Sequence, residues 1–262
     1  ERIDMKELGK HMLFIVCVGL VSAAASIILC LCVEAASHLS KTFAWTIFLL
    51  PLLGVASVAL YREFNLPPDF ATDTMVDEMR ANKIVSPLLA PGILIGTCLS
   101  TVGGATVGRE SGALQMGASI SETLGRAFKL KSCLKDKQDI PMYGYAALLG
   151  MSATFSALFF APLAAVFMVL ELTHYKNFSF PRFIALIVSA SIAAAITQAI
   201  GIGDILPEIT IPALSGDMAL QVLLVGLVCG VLGGLHGSAM HAVRAWRQSH
   251  TPRPYITVAI AG

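Results

Sequence analysis

Residues 101–120 read TVGGATVGRESGALQMGASI and place a charged pair, Arg109 and Glu110, inside an apolar, glycine-rich stretch. From Ser111 onward the small and apolar residues follow a helical pattern. A helix starting near Ser111 would aim its unpaired backbone N–H groups and its partial positive charge at whatever precedes it. Such an end is a ready-made anion site. Ser111 suits the cap of that helix and Gly112 permits close approach. The expected anion-binding set is therefore Gly108, Arg109, Ser111, Gly112 and Ala113. Glu110 is read as a movable plug: ionised, it mimics an anion and occupies the site; protonated or displaced, it leaves room for one. The plain alternative is that Glu110 caps the helix or pairs with Arg109. Arg109 itself has two open readings, widening the positive field at the site or snorkelling toward a partner.

The surroundings of this pair decide its environment. The chain has 262 residues, 56% apolar and only 13% charged, against about a quarter charged in soluble domains. Its mean hydropathy is +0.75. Disorder is excluded, because it needs low hydrophobicity and high charge. The net charge of +1 gives no basic excess for nucleic acid. An integral membrane protein is expected, and there an ionisable side chain is costly and usually functional. That favours the plug over the cap. The six cysteines show no disulfide or zinc spacing and read as packing residues. HExxH and phosphate-loop motifs are absent, so no metal or cofactor is expected.

A membrane helix needs about 20 mostly apolar residues. Residues 11–33, 44–60, 183–202 and 218–240 meet that need, and 255–262 read as the start of another helix. Between 85 and 170 the chain is apolar but punctuated by Pro87, Pro91, Gly103, Gly104, Gly108, Gly112, Gly117, Gly150 and Pro162. Irregular backbone at membrane depth survives only inside protein or beside water, and broken helices meeting near the midplane build ion sites. Residues 126–137 carry five basic side chains, whereas 204–217 carry acids and no Lys or Arg. The first loop is therefore read as cytoplasmic and the second as external. Residues 143–170 must then enter and return as a re-entrant hairpin, with Phe159 and Phe160 as candidates to line a pore.

GRESGALQMGASI resembles the glutamate-gate motif of the CLC family of chloride channels and anion/proton antiporters. The stretch at 150–171, GMSATFSALFFAPLAAVFMVLE, is similar to a second signature of that family, with Gly150, Ala153, Ala157, Phe159, Ala161-Pro162-Leu163-Ala164 and Glu171 on or near its pattern. The resemblance implies an all-α integral membrane protein of tilted, broken and re-entrant helices in a CLC-type inverted-repeat fold. Residues 1–203 would be the first half-repeat, and 204–262 an external loop and the first helices of the second half, with no soluble domain. It also implies Glu110 as the gating and proton-carrying glutamate, a halide anion and a proton as partners, and a homodimer in the bilayer. A multi-pass protein of a bacterial inner membrane is expected.

Departures from the family pattern narrow the choice. Ser111 and Gly112 replace a Gly-Pro pair. No GSGIP serine motif is present, and Met75 stands where its serine might fall, as a further anion-site candidate. Leu172 occupies the position of the antiporters' internal proton-transfer glutamate. These losses resemble the fluoride-exporting branch, so fluoride/proton antiport is the leading expectation and a chloride channel or chloride/proton antiporter the alternative. A non-transporting structural or regulatory half-protein is the rival of another class. An enzyme is not expected, since Ser, His and Asp do not cluster.

Overall fold

The computed structural model describes residues 5–67, 70–81, 83–105, 107–128, 142–173, 179–201 and 215–250. Among these, the regular structure is helical throughout. The order is α1 (Met5–Thr42), a 3-10 helix (Ala44–Leu49), α2 (Leu50–Glu63), α3 (Thr72–Arg80), α4 (Leu89–Val102), α5 (Glu110–Ala127), α6 (Met142–Phe159), α7 (Pro162–Leu172), α8 (Phe180–Ile200) and α9 (Gly216–His250). Four segments are long and apolar enough to cross a membrane: Leu8–Thr42, Trp45–Glu63, Phe180–Ile200 and Gly216–Val243. The expected spans are therefore present, with altered ends. The first continues well past residue 33, because no proline or glycine stops it before Phe43. The second opens as a 3-10 turn, and Pro51 at the start of α2 fixes where the α-helix begins.

The chain divides into two compact units, Glu1–Ile205 and Leu206–Ala261. The first contains α1 to α8. Its centre is α6, which packs against α1, α5, α7 and α8. Residues 145–154 of α6 are buried on every side, as expected for a helix apolar all round. Around it gather Phe14, Val18 and Leu29 of α1, Leu114 of α5, Val166 of α7 and Leu186 of α8. The second unit contains α9, whose apolar side chains, Leu220 and Leu235 among them, are exposed. The expected helix at 255–262, Cys133, and nearly all of the loop at 204–217 lie outside the described residues.

Two of the glycines read as interruptions do something else. Gly117 and Gly150 sit inside α5 and α6, where the two backbones touch. A Cβ on Gly117 would meet the Gly150 carbonyl carbon at 2.7 Å, and one on Gly150 would meet that of Gly117 at 2.6 Å. Small residues let membrane helices approach this closely. The true breaks are at Gly103–Gly104, with Gly104 at φ +82°, and at Phe160, a non-glycine residue at φ +52°. The latter separates α6 from α7, so the helix pair expected at 143–170 is present as two packed arms.

Candidate functional site

The register of α5 against α6 brings the candidate residues to one end of the bundle. Gly117 lies on Gly150, and the Thr154 hydroxyl donates to the Ala113 carbonyl at 2.9 Å. Position numbers fall on α6 as they rise on α5, so the pair is antiparallel. Continued by one turn, that register brings the first residue of α5 level with the last turn of α6. Glu110, Phe159, Phe160 and the Pro162 start of α7 therefore share one level. The first unit's α1 reaches it too. Ser26 Oγ donates to the Thr154 carbonyl at 3.2 Å, and Arg109 stands beside the Cys30 thiol.

The start of α5 differs from expectation in one respect. The helix begins at Glu110, with Arg109 as its N-cap and no side-chain capping bond. Ser111 is thus inside the first turn, exposed, and is not the cap. Its position explains why: a capping side chain must come from the residue before the helix, where β-region backbone aims the oxygen back, and Arg109 at φ −85°, ψ −16° already has helical backbone. The first intrahelical bond runs from the Ala113 N–H to the Arg109 carbonyl at 2.9 Å. The N–H groups of Glu110, Ser111 and Gly112 precede it and have no helical acceptor. They form the donor-bearing helix end that the sequence leads one to expect.

Glu110 is exposed, and its carboxylate folds back over Gly108, in space that a Cβ at 108 would fill. Glycine at 108 is what allows that pose. Gly112 is buried against α4, where a Cβ would meet Ile93 Cγ2 at 3.1 Å. Ala113 is buried, its carbonyl engaged by Thr154. Phe159 and Phe160 are half-buried, with the Phe159 ring 4.5 Å from that of Phe155. Met75 stands apart from this group. It is fully buried on α3, within the cluster that includes Val85, Leu89 and Ala113. Its helix meets α5 one turn further along, where Gln115 Nε2 donates to Thr72 Oγ1 at 3.2 Å. Glu171, which falls on the second signature, is exposed on α7.

Residues 71–262 match the voltage gated chloride channel family. The chain belongs to the CLC family. A curated relative, the "Chloride/fluoride channel protein" of Pseudomonas syringae pv. tomato, is 30% identical over 251 residues. That alignment covers 94% of this chain and 53% of the relative. Among solved structures, a CLC-type fluoride/proton antiporter superposes with a TM-score of 0.80 at 24% identity, covering 99% of this chain and 64% of its own. A slow cyanobacterial Cl−/H+ antiporter gives 0.73 at 20% identity, covering 97% and 62%. The chain thus has the CLC fold and spans between about half and two thirds of the length of these relatives.

Two buried polar residues went unremarked in the sequence. Glu122, on α5, is 1% exposed, and its Oε2 accepts from the Val85 N–H at 3.1 Å. Its signal was its spacing, three residues after Ser119 and seven after Gln115, which keeps all three on one helix face. Arg182 is the second. It is 6% exposed at the start of α8, with its guanidinium 5.8 Å from the centre of the Tyr145 ring. Its hydrophobic neighbours in sequence concealed that cation–π contact.

Proposed function

We propose that this chain is the first half, and the start of the second half, of a CLC-type halide transporter that exchanges anion for proton, with Glu110 as gate and proton carrier. The observation that carries the reading is the position of Glu110 as the first residue of α5, beside backbone N–H groups that have no helical acceptor. Ionised, the carboxylate takes those donors as an anion would. Protonated, it gives up that claim and swings away, and a halide takes its place. One side chain then carries the proton and clears the anion site, which couples the two movements in opposite directions. Gly108 supplies room for the swing. Arg109, Ser111, Gly112 and Ala113 shape the positive end, and Phe159 and Phe160 flank it from the α6–α7 break. A second helical half would supply the remaining wall.

Fluoride is the favoured ion. It is small and strongly hydrated, so a site must replace several water hydrogen bonds, and main-chain donors do so without bulk. Met75 in place of a serine motif and Leu172 in place of an internal glutamate support that choice. Chloride is the second reading, favoured by the curated relative whose name carries both ions. A homodimer in a bacterial inner membrane is part of the proposal.

The test is efflux from liposomes holding the full-length protein, read with fluoride and chloride electrodes alongside a pH electrode. Wild type should move fluoride in preference to chloride and drive protons the other way. Glu110→Gln should abolish proton movement. Coupled proton flux at the wild-type rate in that variant would refute the gate, and a strong chloride preference would refute the fluoride assignment.

A further inference from the structure

Four polar side chains of α5 lie on a single seam. Ser111, Gln115, Ser119 and Glu122 are spaced four, four and three residues apart, which keeps them on one helix face. Gln115, Ser119 and Glu122 are buried. α3 and residues 83–86, just ahead of α4, cover them. Gln115 Nε2 donates to Thr72 Oγ1 at 3.2 Å, Ser119 Oγ donates to the Ser86 carbonyl at 2.7 Å, and the Val85 N–H donates to Glu122 Oε2 at 3.1 Å.

Two acceptors on this seam are left over. Gln115 Oε1 and Glu122 Oε1 are buried with no hydrogen-bond partner among the described residues. Buried polar atoms are otherwise satisfied almost without exception, by protein, water or a proton of their own. The charged side chain that faces Glu122 is Arg126, one turn further along α5. Among the described residues, the ionisable side chains on the elements packed around this end include His11 on α1, Tyr145 on α6 with Arg182 of α8 over its ring, and Asp77, Glu78 and Lys83 on the covering segment; His11, Tyr145 and Arg182 are buried and Lys83 is exposed. The end itself leads into the basic segment 126–137, which loop charge places in the cytoplasm. Glu110 begins the same helix 12 residues earlier, about 18 Å away at 1.5 Å per residue.

We infer that Glu122 is a proton relay between the cytoplasm and Glu110, with the seam of Gln115, Ser119 and Ser111 and its bound water as the route. The inference rests on the halide/proton exchange proposed above. A proton passes from cytoplasmic water to the free Oε1 of Glu122. It leaves along the seam and is taken up by the Glu110 carboxylate when that gate faces inward, so one carboxylate is regenerated as the other is neutralised. Leu172 carries no proton, which leaves Glu122 as the buried carboxylate on the cytoplasmic end of the described helices. The competing role is purely structural: Glu122 as a latch that holds Val85.

Glu122→Gln separates the two roles, because its amide oxygen still accepts from Val85 while the titratable group is gone. The variant is made in the full-length protein and measured for halide and proton flux in the same liposomes. Halide efflux should stay within about threefold of wild type while proton flux falls at least tenfold. Glu122→Asp, which keeps a carboxylate, should restore part of the proton flux. An unchanged proton-to-halide ratio in Glu122→Gln overturns the relay even where Glu110→Gln still uncouples, and the gate proposal then stands alone. A wild-type protein that passes halide without protons overturns both. Should Glu122→Gln fail to assemble, Gln115→Leu breaks the seam away from the latch: a fall in the proton-to-halide ratio supports the relay, and an unchanged ratio overturns it.

Discussion

Substituting alanine for Gly117 tests whether the crossing of α5 and α6 holds the candidate site in place. The added methyl would lie 2.7 Å from the Gly150 carbonyl carbon, where ordinary contact begins near 3.4 Å. The obstacle is backbone, so no rotamer change relieves it, and the helices must part by most of an ångström. Overpacking of this kind costs about 1–3 kcal/mol when side chains can yield, and here they cannot, so about 3 kcal/mol or more is expected. Alanine's better helix propensity returns at most about 1 kcal/mol. The assay is thermal unfolding of the full-length protein in detergent, with Gly144→Ala as the control. Gly144 is also on α6 but has nothing within 4 Å of its would-be Cβ, so its substitution should be neutral or slightly stabilising. Gly117→Ala should melt several degrees below wild type. The double variant Gly117→Ala/Gly150→Ala should lose less than the sum of the single losses, because both methyls push on one contact. Equal melting temperatures for Gly117→Ala and Gly144→Ala would refute the argument.

Two further substitutions probe the packing behind the start of α5. Thr154→Val removes a buried hydroxyl that serves the Ala113 and Gly150 carbonyls and should cost about 1 kcal/mol in the same melting assay, with no loss if those carbonyls never depended on it. Met75→Leu preserves volume and should hold stability to within about 1.5 kcal/mol; a changed fluoride-to-chloride ratio would support Met75 as part of the anion site, and an unchanged ratio would leave it a core residue.

The α5 region was legible because two signals coincide in a short stretch. A charged pair in an apolar run and a following pattern of small residues together specify a helix start, and the structure begins α5 within one residue of the expected position. The long spans were legible from length alone. Their ends were not, since a helix stops where a specific residue or contact stops it, and the apolar run at 11–33 contains no such residue. The function of Gly117 and Gly150 was also hidden. A glycine that breaks a helix and one that lets two helices touch look alike until the partner helix is known.

What the sequence determined by itself was the class of molecule and its local features: apolar spans, a broken middle, and a carboxylate at a helix start. These depend on composition and on neighbours within a few positions. The tertiary structure decided which distant residues share a level. It carried Phe159 and Phe160 to the end where Glu110 stands, through the antiparallel contact of Gly117 with Gly150. It also sealed Glu122 beneath Val85, and left Met75 buried in the core. Pairings of that kind are set by how helices pack in three dimensions, and no local pattern along the chain encodes them.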